Sequence, residues 1–289
     1  MKHNILARIQ VYNEEKYIEK WIESVKRFCT HIIALDDGST DATLEILRKH
    51  LPEECIISKE RNQHHLESHH HKDMHEKIKE LGLNPDWIWC SACDEFFPHF
   101  EGDIEWLDDY LTRAKNEGKY SITAHNCELW LSEHWYRIDT KFGAIPFIRF
   151  YQYDPDMHWE DDQLVEIAHC KNYPDILDKL PRRKMNQDYM MILHYGYTEV
   201  ELILRRFAKM AELYEDGRID LRYIYYNWIR GVDLRDIELK HIPHKWCQGG
   251  KCEGCKKPVF TDKTLIPKDH PLYKYWQEFR YKKYIEKLW

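Results

Sequence analysis

The stretch Ile32-Ile33-Ala34-Leu35-Asp36-Asp37-Gly38-Ser39-Thr40-Asp41 decides the fold of this chain. Its consecutive apolar residues predict a buried strand, and two carboxylates stand where that strand ends. Gly38 favours a turn because glycine tolerates positive φ, and a polar residue after it can cap a helix. Ligands of open α/β sheets bind at the carboxyl ends of strands, so Asp36 and Asp37 are predicted to border a binding crevice.

A second strand-to-helix connection lies upstream. The apolar segment 5–12 predicts a strand, Asn13-Glu14-Glu15 follows it, and apolar residues then recur at helical spacing. Asn13 is expected to cap this helix, because asparagine is a preferred N-cap residue. Two successive β–α units therefore bring polar side chains to one edge of one sheet: Tyr12, Glu14, Asp36 and Asp37.

These two motifs, in this order, resemble the opening of the family 2 glycosyltransferases of the GT-A fold. The resemblance implies an α/β fold with a Rossmann-like, mixed, mainly parallel central sheet flanked by helices. It also implies transfer of a sugar from a nucleoside diphosphate donor, most often a UDP-sugar, to a hydroxyl of a glycan, a lipid-linked glycan or a protein. By the same resemblance the nucleotide contacts are Tyr12, Glu14, Asp36 and Asp37.

The segment Asp94-Glu95-Phe96 is similar to the end of the family's Asp-Ala-Asp-Glu-Phe motif, although Ala92 replaces the first acid. The resemblance implies that Asp94 binds the divalent cation, with Glu95 as the alternative. Carboxylate oxygens and a diphosphate favour Mg²⁺ or Mn²⁺. A later His-Tyr-Gly-Tyr segment, which enters a basic helix, adds His194 as a further ligand and Arg205 and Arg206 as contacts of the diphosphate.

An inverting transfer needs a carboxylate that accepts the acceptor's proton. The acidic segment after the strand at 145–151 offers Asp161, then Asp162, then Glu166. The alternative for this segment is an acidic surface turn.

Two other clusters carry metal-binding residue types. His244, Cys247, Cys252 and Cys255 have spacing that suits a structural zinc knuckle within 241–255, with His241 as a spare ligand. The alternative is a reduced loop with free cysteines. The histidines at 64–75, on a helix predicted over Leu66–Leu81, are expected to form a solvated, pH-sensitive face.

Composition limits the remaining choices. The chain has 289 residues and a net charge of -7, which argues against nucleic acid as the main partner. The 9 cysteines and the lack of a secretory signal favour a cytoplasmic setting. No run of about 18 apolar residues occurs. A basic, aromatic helix over 272–289 allows peripheral contact with the inner face of a membrane.

The pattern predicts a GT-A domain over 1–197, with a nucleotide half at about 1–127 and an acceptor half at about 128–197. A helical C-terminal extension follows over 198–289. Two other functions stay open from the sequence. One is a non-catalytic protein that binds sugar nucleotides or glycans, for which Ala92 is the best argument. The other is a nucleotidyltransferase, which would need a glycine-rich phosphate loop after the first strand.

Overall fold

The structure is a computed structural model. It describes the following residues: 1–61, 67–138, 147–159, 168–170, 173–176, 182–184, 191–205, 208, 237–246, 255–260, 264–269, 273 and 277. The chain divides into two compact units, residues 1–124 with 146–192 and residues 125–145 with 193–289. The domain boundaries expected at 127 and 197 remain predictions.

The strands in chain order are β1 (Ile5–Val11), β2 (His31–Asp36), β3 (Ile56–Ser58), β4 (Trp87–Cys90), β5 (Glu95–Phe96), β6 (Ser121–Ala124), β7 (Asn126–Trp130), β8 (Trp135–Arg137), β9 (Phe147–Gln152), β10 (His158–Trp159), β11 (Ala168–Cys170), β12 (Tyr173–Ile176), β13 (Arg182–Lys184), β14 (Ile192–Tyr197) and β15 (Leu239–His241). The helices are α1 (Ile18–Val25), α2 (Thr43–His50), α3 (Glu67–Glu80) and α4 (Asp103–Asn116). Short 3-10 turns occur at Glu53–Cys55 and His244–Trp246.

The first unit is built on a sheet in the order β13-β6-β9-β4-β1-β2-β3. Strands β4, β1, β2 and β3 are parallel neighbours, whereas β9 is antiparallel to both β4 and β6. The expected α/β class, with a mixed and mainly parallel sheet, is confirmed. A small antiparallel sheet of β10, β11 and β12 belongs to the same unit.

Large aromatic side chains fill the core around β4. Trp21, Trp87, Trp89 and Phe150 are fully buried, and the Phe28 ring meets Trp89 edge-on at 5.7 Å. Aromatic rings bury more apolar surface than other side chains, so they dominate the packing energy here. The sheet that carries the polar edge residues is therefore held on a rigid core.

The sequence pattern predicts one strand over 120–127, and the structure divides this segment into two strands. Ser121–Ala124 is β6 of the large sheet, whereas β7 begins at Asn126 and belongs to the second unit. No glycine or proline lies within 120–127 to mark the junction, which is why the sequence predicted a single strand.

The second unit contains the strand order β15-β8-β7-β14. Strand β8 is antiparallel to both β7 and β15. A helix begins at residue 200, as expected after Thr198. Within the predicted helical extension, the sequence pattern favours further helices at about 220–230 and 271–288, and these ranges lie almost wholly outside the described residues. None of the helices within the described ranges is both long and apolar enough to cross a bilayer.

Candidate functional site

The carboxyl ends of three adjacent parallel strands define one polar edge of the large sheet. Val11 is paired with Asp36 across β1 and β2, and the Asp37 amide donates to the Val11 carbonyl at 2.9 Å. Strand β4 is parallel to β1 on its other side and leads to Asp94 four residues beyond its end. The first two crossovers and the β4 loop thus meet at the same edge, as the sequence predicted.

The loops after β1 and β2 are hydrogen-bonded to each other. The Asn13 amide donates to Ser39 Oγ at 2.9 Å, and the Thr40 amide donates to Asn13 Oδ1 at 2.8 Å. Next along the chain, the Glu14 amide donates to Thr43 Oγ1 at 2.8 Å. These reciprocal bonds explain physically why the two motifs occur together: each supplies partners for the other's turn.

The expected role of Asn13 as a helix cap is wrong. Helix α1 begins at Ile18, and its capping position Tyr17 makes no side-chain cap bond. Asn13 has a φ of 54°, and its side-chain oxygen accepts a hydrogen bond from the loop after β2. Asparagine tolerates this left-handed conformation better than most residues, so Asn13 serves in a turn and not as a helix cap.

Both acidic side chains of the β2 loop are buried, Asp36 at 1% and Asp37 at 2% exposure. The Asp36 carboxylate accepts the Ser39 amide at 3.2 Å, so it shapes the turn. The Asp37 carboxylate lies 3.6 Å from Nε2 of His70 on α3. Of the two acids, Asp36 is thus tied to its own loop and Asp37 faces a neighbouring element.

Tyr12, at the end of β1, lies beneath a cationic side chain. The Arg61 guanidinium carbon is 3.3 Å from the centre of the Tyr12 ring, which is a stacked cation–π contact. Gly38 has a φ of +73°, and a Cβ there would lie 2.6 Å from the Arg61 amide nitrogen. Position 38 therefore requires glycine, because the backbone of Arg61 lies so close to the turn after β2.

The loop after β4 separates the roles of Asp94 and Glu95. The Arg149 guanidinium donates to both Glu95 oxygens, at 2.6 and 2.7 Å, and the Ala92 amide also donates to Glu95 at 2.7 Å. These three hydrogen bonds hold Glu95 in place, and the two from Arg149 make a buried, bidentate ion pair. Asp94, at 7% exposure, is then the carboxylate of this loop that fits a hard divalent cation.

The pKa of the Cys93 thiol, which precedes Asp94 in this loop, is affected by the nearby carboxylates. Burial raises the pKa of Cys93 well above its usual value, and the carboxylates of Glu14 and Asp94 raise it further. Glu14 of the β1 loop and Asp94 of the β4 loop are therefore both near enough to this sulfur to raise its pKa.

The histidines of α3 do not form the solvated face expected from the sequence. His70 and His75 are buried, at 6% and 4% exposure. His70 faces Asp37, His71 contacts Arg8 of β1, and His75 Nε2 donates to the Pro155 carbonyl at 3.2 Å. These histidines share the buried side of the helix with Met74 and Ile78, and the sequence prediction did not take that apolar pair into account.

In the second unit, His194 on β14 is paired with Glu128 on β7, with 2.5 Å between Nδ1 and Oε2. Both side chains are buried. Arg205 lies on the helix that begins at residue 200 and is exposed. These residues belong to the second compact unit, whereas Asp36, Asp37 and Asp94 belong to the first.

Several predicted site residues lie outside the described residues: Arg206, Asp161, Asp162, Glu166, Cys247 and Cys252. Of the remaining predicted zinc ligands, His244 is exposed on the turn His244–Trp246, and Cys255 lies 3.6 Å from Nδ1 of His134.

Sequence reasoning missed Arg149, Glu128 and Ser39. Arg149 carried a usable signal, because a charged residue inside an apolar strand must find a buried partner. Glu128 stands likewise within an apolar strand. Ser39 carried none, since a serine after a turn glycine is ordinary.

Residues 8–68 match the model of glycosyl transferase family 2. This segment contains both cross-bonded loops, the second half of β1, and strands β2 and β3. This part of the chain is therefore similar to a family 2 glycosyl transferase domain.

Solved structures give more distant similarities. Glucosyl-3-phosphoglycerate synthase from Mycobacterium tuberculosis, in complex with Mn²⁺ and UDP-glucose, is 19% identical with a TM-score of 0.30, over 43% of this chain and 44% of that one. The S. aureus protein TarS is 15% identical with a TM-score of 0.40, over 71% of this chain and 39% of its own. The chain thus spans less than half the length of either protein, and such TM-scores carry no argument about individual residues. The comparison with curated proteins gave no match.

Proposed function

We propose that the protein transfers a sugar from a nucleoside diphosphate donor to a hydroxyl acceptor. The observation that carries this proposal is the pair of cross-bonded loops after β1 and β2, which lie inside the segment matched by family 2. Two buried carboxylates, Asp36 and Asp37, stand where the second of these loops begins. A UDP-sugar is the proposed donor, and a glycan, lipid-linked or protein hydroxyl is the proposed acceptor.

The nucleoside would bind at this edge through Asp37 and the Tyr12 ring. An ionised carboxylate only accepts hydrogen bonds, so Asp37 suits a base N–H or a ribose hydroxyl. The Tyr12 ring, already stacked under Arg61, offers a flat surface for a base. Glu14, in the same loop, stays a proposed contact.

Asp94 would hold the divalent cation, Mn²⁺ or Mg²⁺. The donor set fits, because a buried carboxylate oxygen is the ligand type that these hard cations prefer. When bound, such a cation stabilises negative charge on a departing diphosphate. Glu95 would act by positioning, since Arg149 and the Ala92 amide already occupy its oxygens and fix the loop that carries Asp94.

The remaining roles are proposals on the acceptor side. Asp161, then Asp162, then Glu166 would supply the base of an inverting transfer. Arg205 and Arg206 would contact the diphosphate. His194 would reach a ligand through Nε2, because its Nδ1 is already held by Glu128.

The test is turnover of a panel of UDP-, GDP-, TDP- and CMP-sugars, with Mn²⁺ or with EDTA, by the full chain. Metal-dependent release of the nucleoside phosphate is expected for one donor class. Asp94→Asn should lower this rate at least about 100-fold, because it removes the carboxylate charge at the cation. Asp109→Asn, on the exposed face of α4, is the matched control and should leave the rate unchanged. Equal rates in both variants would contradict the cation assignment.

A second function, binding of sugar nucleotides without transfer, has one specific observation in its favour. Ala92 replaces an acid, and Glu95 is committed to Arg149, so the β4 loop offers fewer carboxylates than the family motif. Tight binding of a donor by the wild type, without turnover in the presence of any acceptor, would favour this alternative.

A further inference from the structure

We propose that His134, His241 and Cys255 together bind one zinc ion in the second unit. His134 lies between β7 and β8, His241 is the last residue of β15, and Cys255 begins a later described segment. One ligand atom from each of these residues lies within 4.8 Å of the other two. This site differs from the sequence-predicted set His244, Cys247, Cys252 and Cys255, because it adds His134 from a distant part of the chain.

The sheet itself brings the two histidines together. His241 is paired with Trp135 across β15 and β8, and the Ile242 amide donates to the His134 carbonyl at 2.9 Å. A backbone hydrogen bond thus fixes one histidine relative to the strand of the other. Such support by rigid elements is what a preorganised metal site requires.

The third ligand is fixed to the same strand. The Trp135 indole N–H donates to the Cys255 carbonyl at 3.2 Å, and the Trp135 ring meets His241 edge-on at 5.0 Å. Trp135 therefore contacts both His241 and Cys255, and its position keeps their side chains near His134.

The ring of His241 is already oriented for coordination. Its Nδ1 lies 2.5 Å from the Ile242 carbonyl oxygen, and a carbonyl only accepts, so Nδ1 carries the proton. Nε2 then has the lone pair, and this buried atom has no hydrogen-bond partner among the described residues. Metal-binding histidines show this arrangement, with the second nitrogen donating to a carbonyl or carboxylate.

The spacing of the sulfur and nitrogen atoms fits tetrahedral zinc. With Zn–N and Zn–S bonds of about 2.0 and 2.3 Å, a nitrogen and a sulfur ligand lie about 3.5 Å apart. The distance from Cys255 Sγ to His134 Nδ1 is 3.6 Å. Two imidazoles with one thiolate favour zinc over Mg²⁺ or Mn²⁺, so this site would be distinct in chemistry from the one at Asp94.

The consequence is a structural link between three separate segments of the second unit. One ion would join the β7–β8 connection, the end of β15 and the segment that begins at Cys255. Zinc binding would then contribute directly to the folding free energy of this unit, because the unfolded chain does not hold the three ligands together.

X-ray absorption at the zinc edge of the purified full chain, with zinc content measured by mass spectrometry, tests the ligand set directly. We expect one zinc per chain with two imidazole nitrogens and one or two sulfurs. Three sulfurs with one nitrogen would favour the ligand set predicted from the sequence and would contradict the set proposed here. The absence of zinc after reconstitution would contradict both.

Substitutions supply the second test. His134→Ala and His241→Ala should each weaken zinc binding at least about 100-fold in competition with a chromophoric chelator. His31→Ala, at an exposed position of β2, is the control and should bind as the wild type does. Undiminished zinc affinity in His134→Ala, or loss in His244→Ala alone, would contradict the proposal. Because the absorption experiment uses the wild type, the proposal stays testable even if a variant fails to fold.

Discussion

Gly38 is the residue on which the polar edge depends most sharply. A side chain at this position meets two obstacles: the positive φ of the turn and the Arg61 backbone at 2.6 Å. The first obstacle is common to many turn glycines. The second is particular to this site, because it comes from the segment that also places the Arg61 guanidinium on Tyr12.

Gly38→Ala should therefore destabilise the protein more than the loss of glycine alone would. Gly118→Ala is the matched control, since Gly118 has a φ of 67° but nothing within 4 Å of its virtual Cβ. Left-handed alanine costs about 1–2 kcal/mol, and we expect Gly38→Ala to exceed Gly118→Ala by at least about 1 kcal/mol in urea unfolding. If the two variants lose the same free energy of unfolding, the backbone at Arg61 moves aside without an energetic penalty and the prediction is wrong.

Arg149 is the second decisive residue, because it neutralises a carboxylate in the core. Arg149→Met would leave the buried Glu95 charge without its guanidinium partner, and removal of one member of a buried pair costs about 3–5 kcal/mol. The exposed pair Arg48–Glu53 gives the control, and Arg48→Met should cost about 1 kcal/mol or less.

A double variant sharpens this test. Glu95→Gln in the Arg149→Met background should recover part of the lost free energy of unfolding, because it removes the unpaired charge. A double variant less stable than Arg149→Met would contradict the ion-pair explanation.

At the scale of elements, α3 packs into the first unit through the apolar side chains of Met74 and Ile78 and through the buried histidines His70 and His75. Of these histidines, His75 has a pKa that its burial lowers. Burial lowers the pKa of His75 below 6.5, the charges of Lys79 and Arg8 lower it further, and the Pro155 carbonyl and Glu76 oppose the shift. The Tyr153 ring lies against it at 5.5 Å.

The sign of the resulting pH dependence follows from linkage. Below pH 6.5 the unfolded chain takes up a proton at His75 that the folded chain does not, so stability falls with falling pH. Above pH 6.5 His75 is uncharged in both the folded and the unfolded chain, so it causes no loss of stability there. His75→Gln should reduce the stability lost between about pH 7 and 5.5, by at most about 1 kcal/mol. His31→Gln controls for the substitution, and an unchanged pH slope in His75→Gln would refute this role.

Elements also show what the sequence could and could not predict. The edge formed by Tyr12, Asp36 and Asp37 was predictable, because each residue lies at the end of a strand whose pattern is local. The Glu95–Arg149 pair joins residues 54 apart, and Cys255 lies 121 residues from His134. Such partners are chosen by tertiary packing, and no local pattern names them. The same reason explains why the strand predicted over 120–127 was divided between two units.

At the scale of the whole molecule, the chain combines two kinds of polar centre with different ligand chemistry. The first unit gathers oxygen ligands at the carboxyl edge of a parallel sheet, where α/β folds bind nucleotides. The second unit gathers nitrogen and sulfur ligands around β8 and β15. We therefore expect chelation of a thiophilic metal to change the stability of the protein without abolishing nucleotide binding, which calorimetric titration of the chelated protein would show.

The central claim is that carboxylates from separate β–α crossovers bind a nucleotide and its cation together. The most direct measurement is the Kd of UDP with and without Mn²⁺, for the wild type and for Asp94→Asn. We predict that Mn²⁺ tightens UDP binding at least about 10-fold in the wild type and about 2-fold or less in Asp94→Asn. The same tightening in both proteins, or no binding of UDP or any other nucleoside diphosphate by the wild type, would contradict the account.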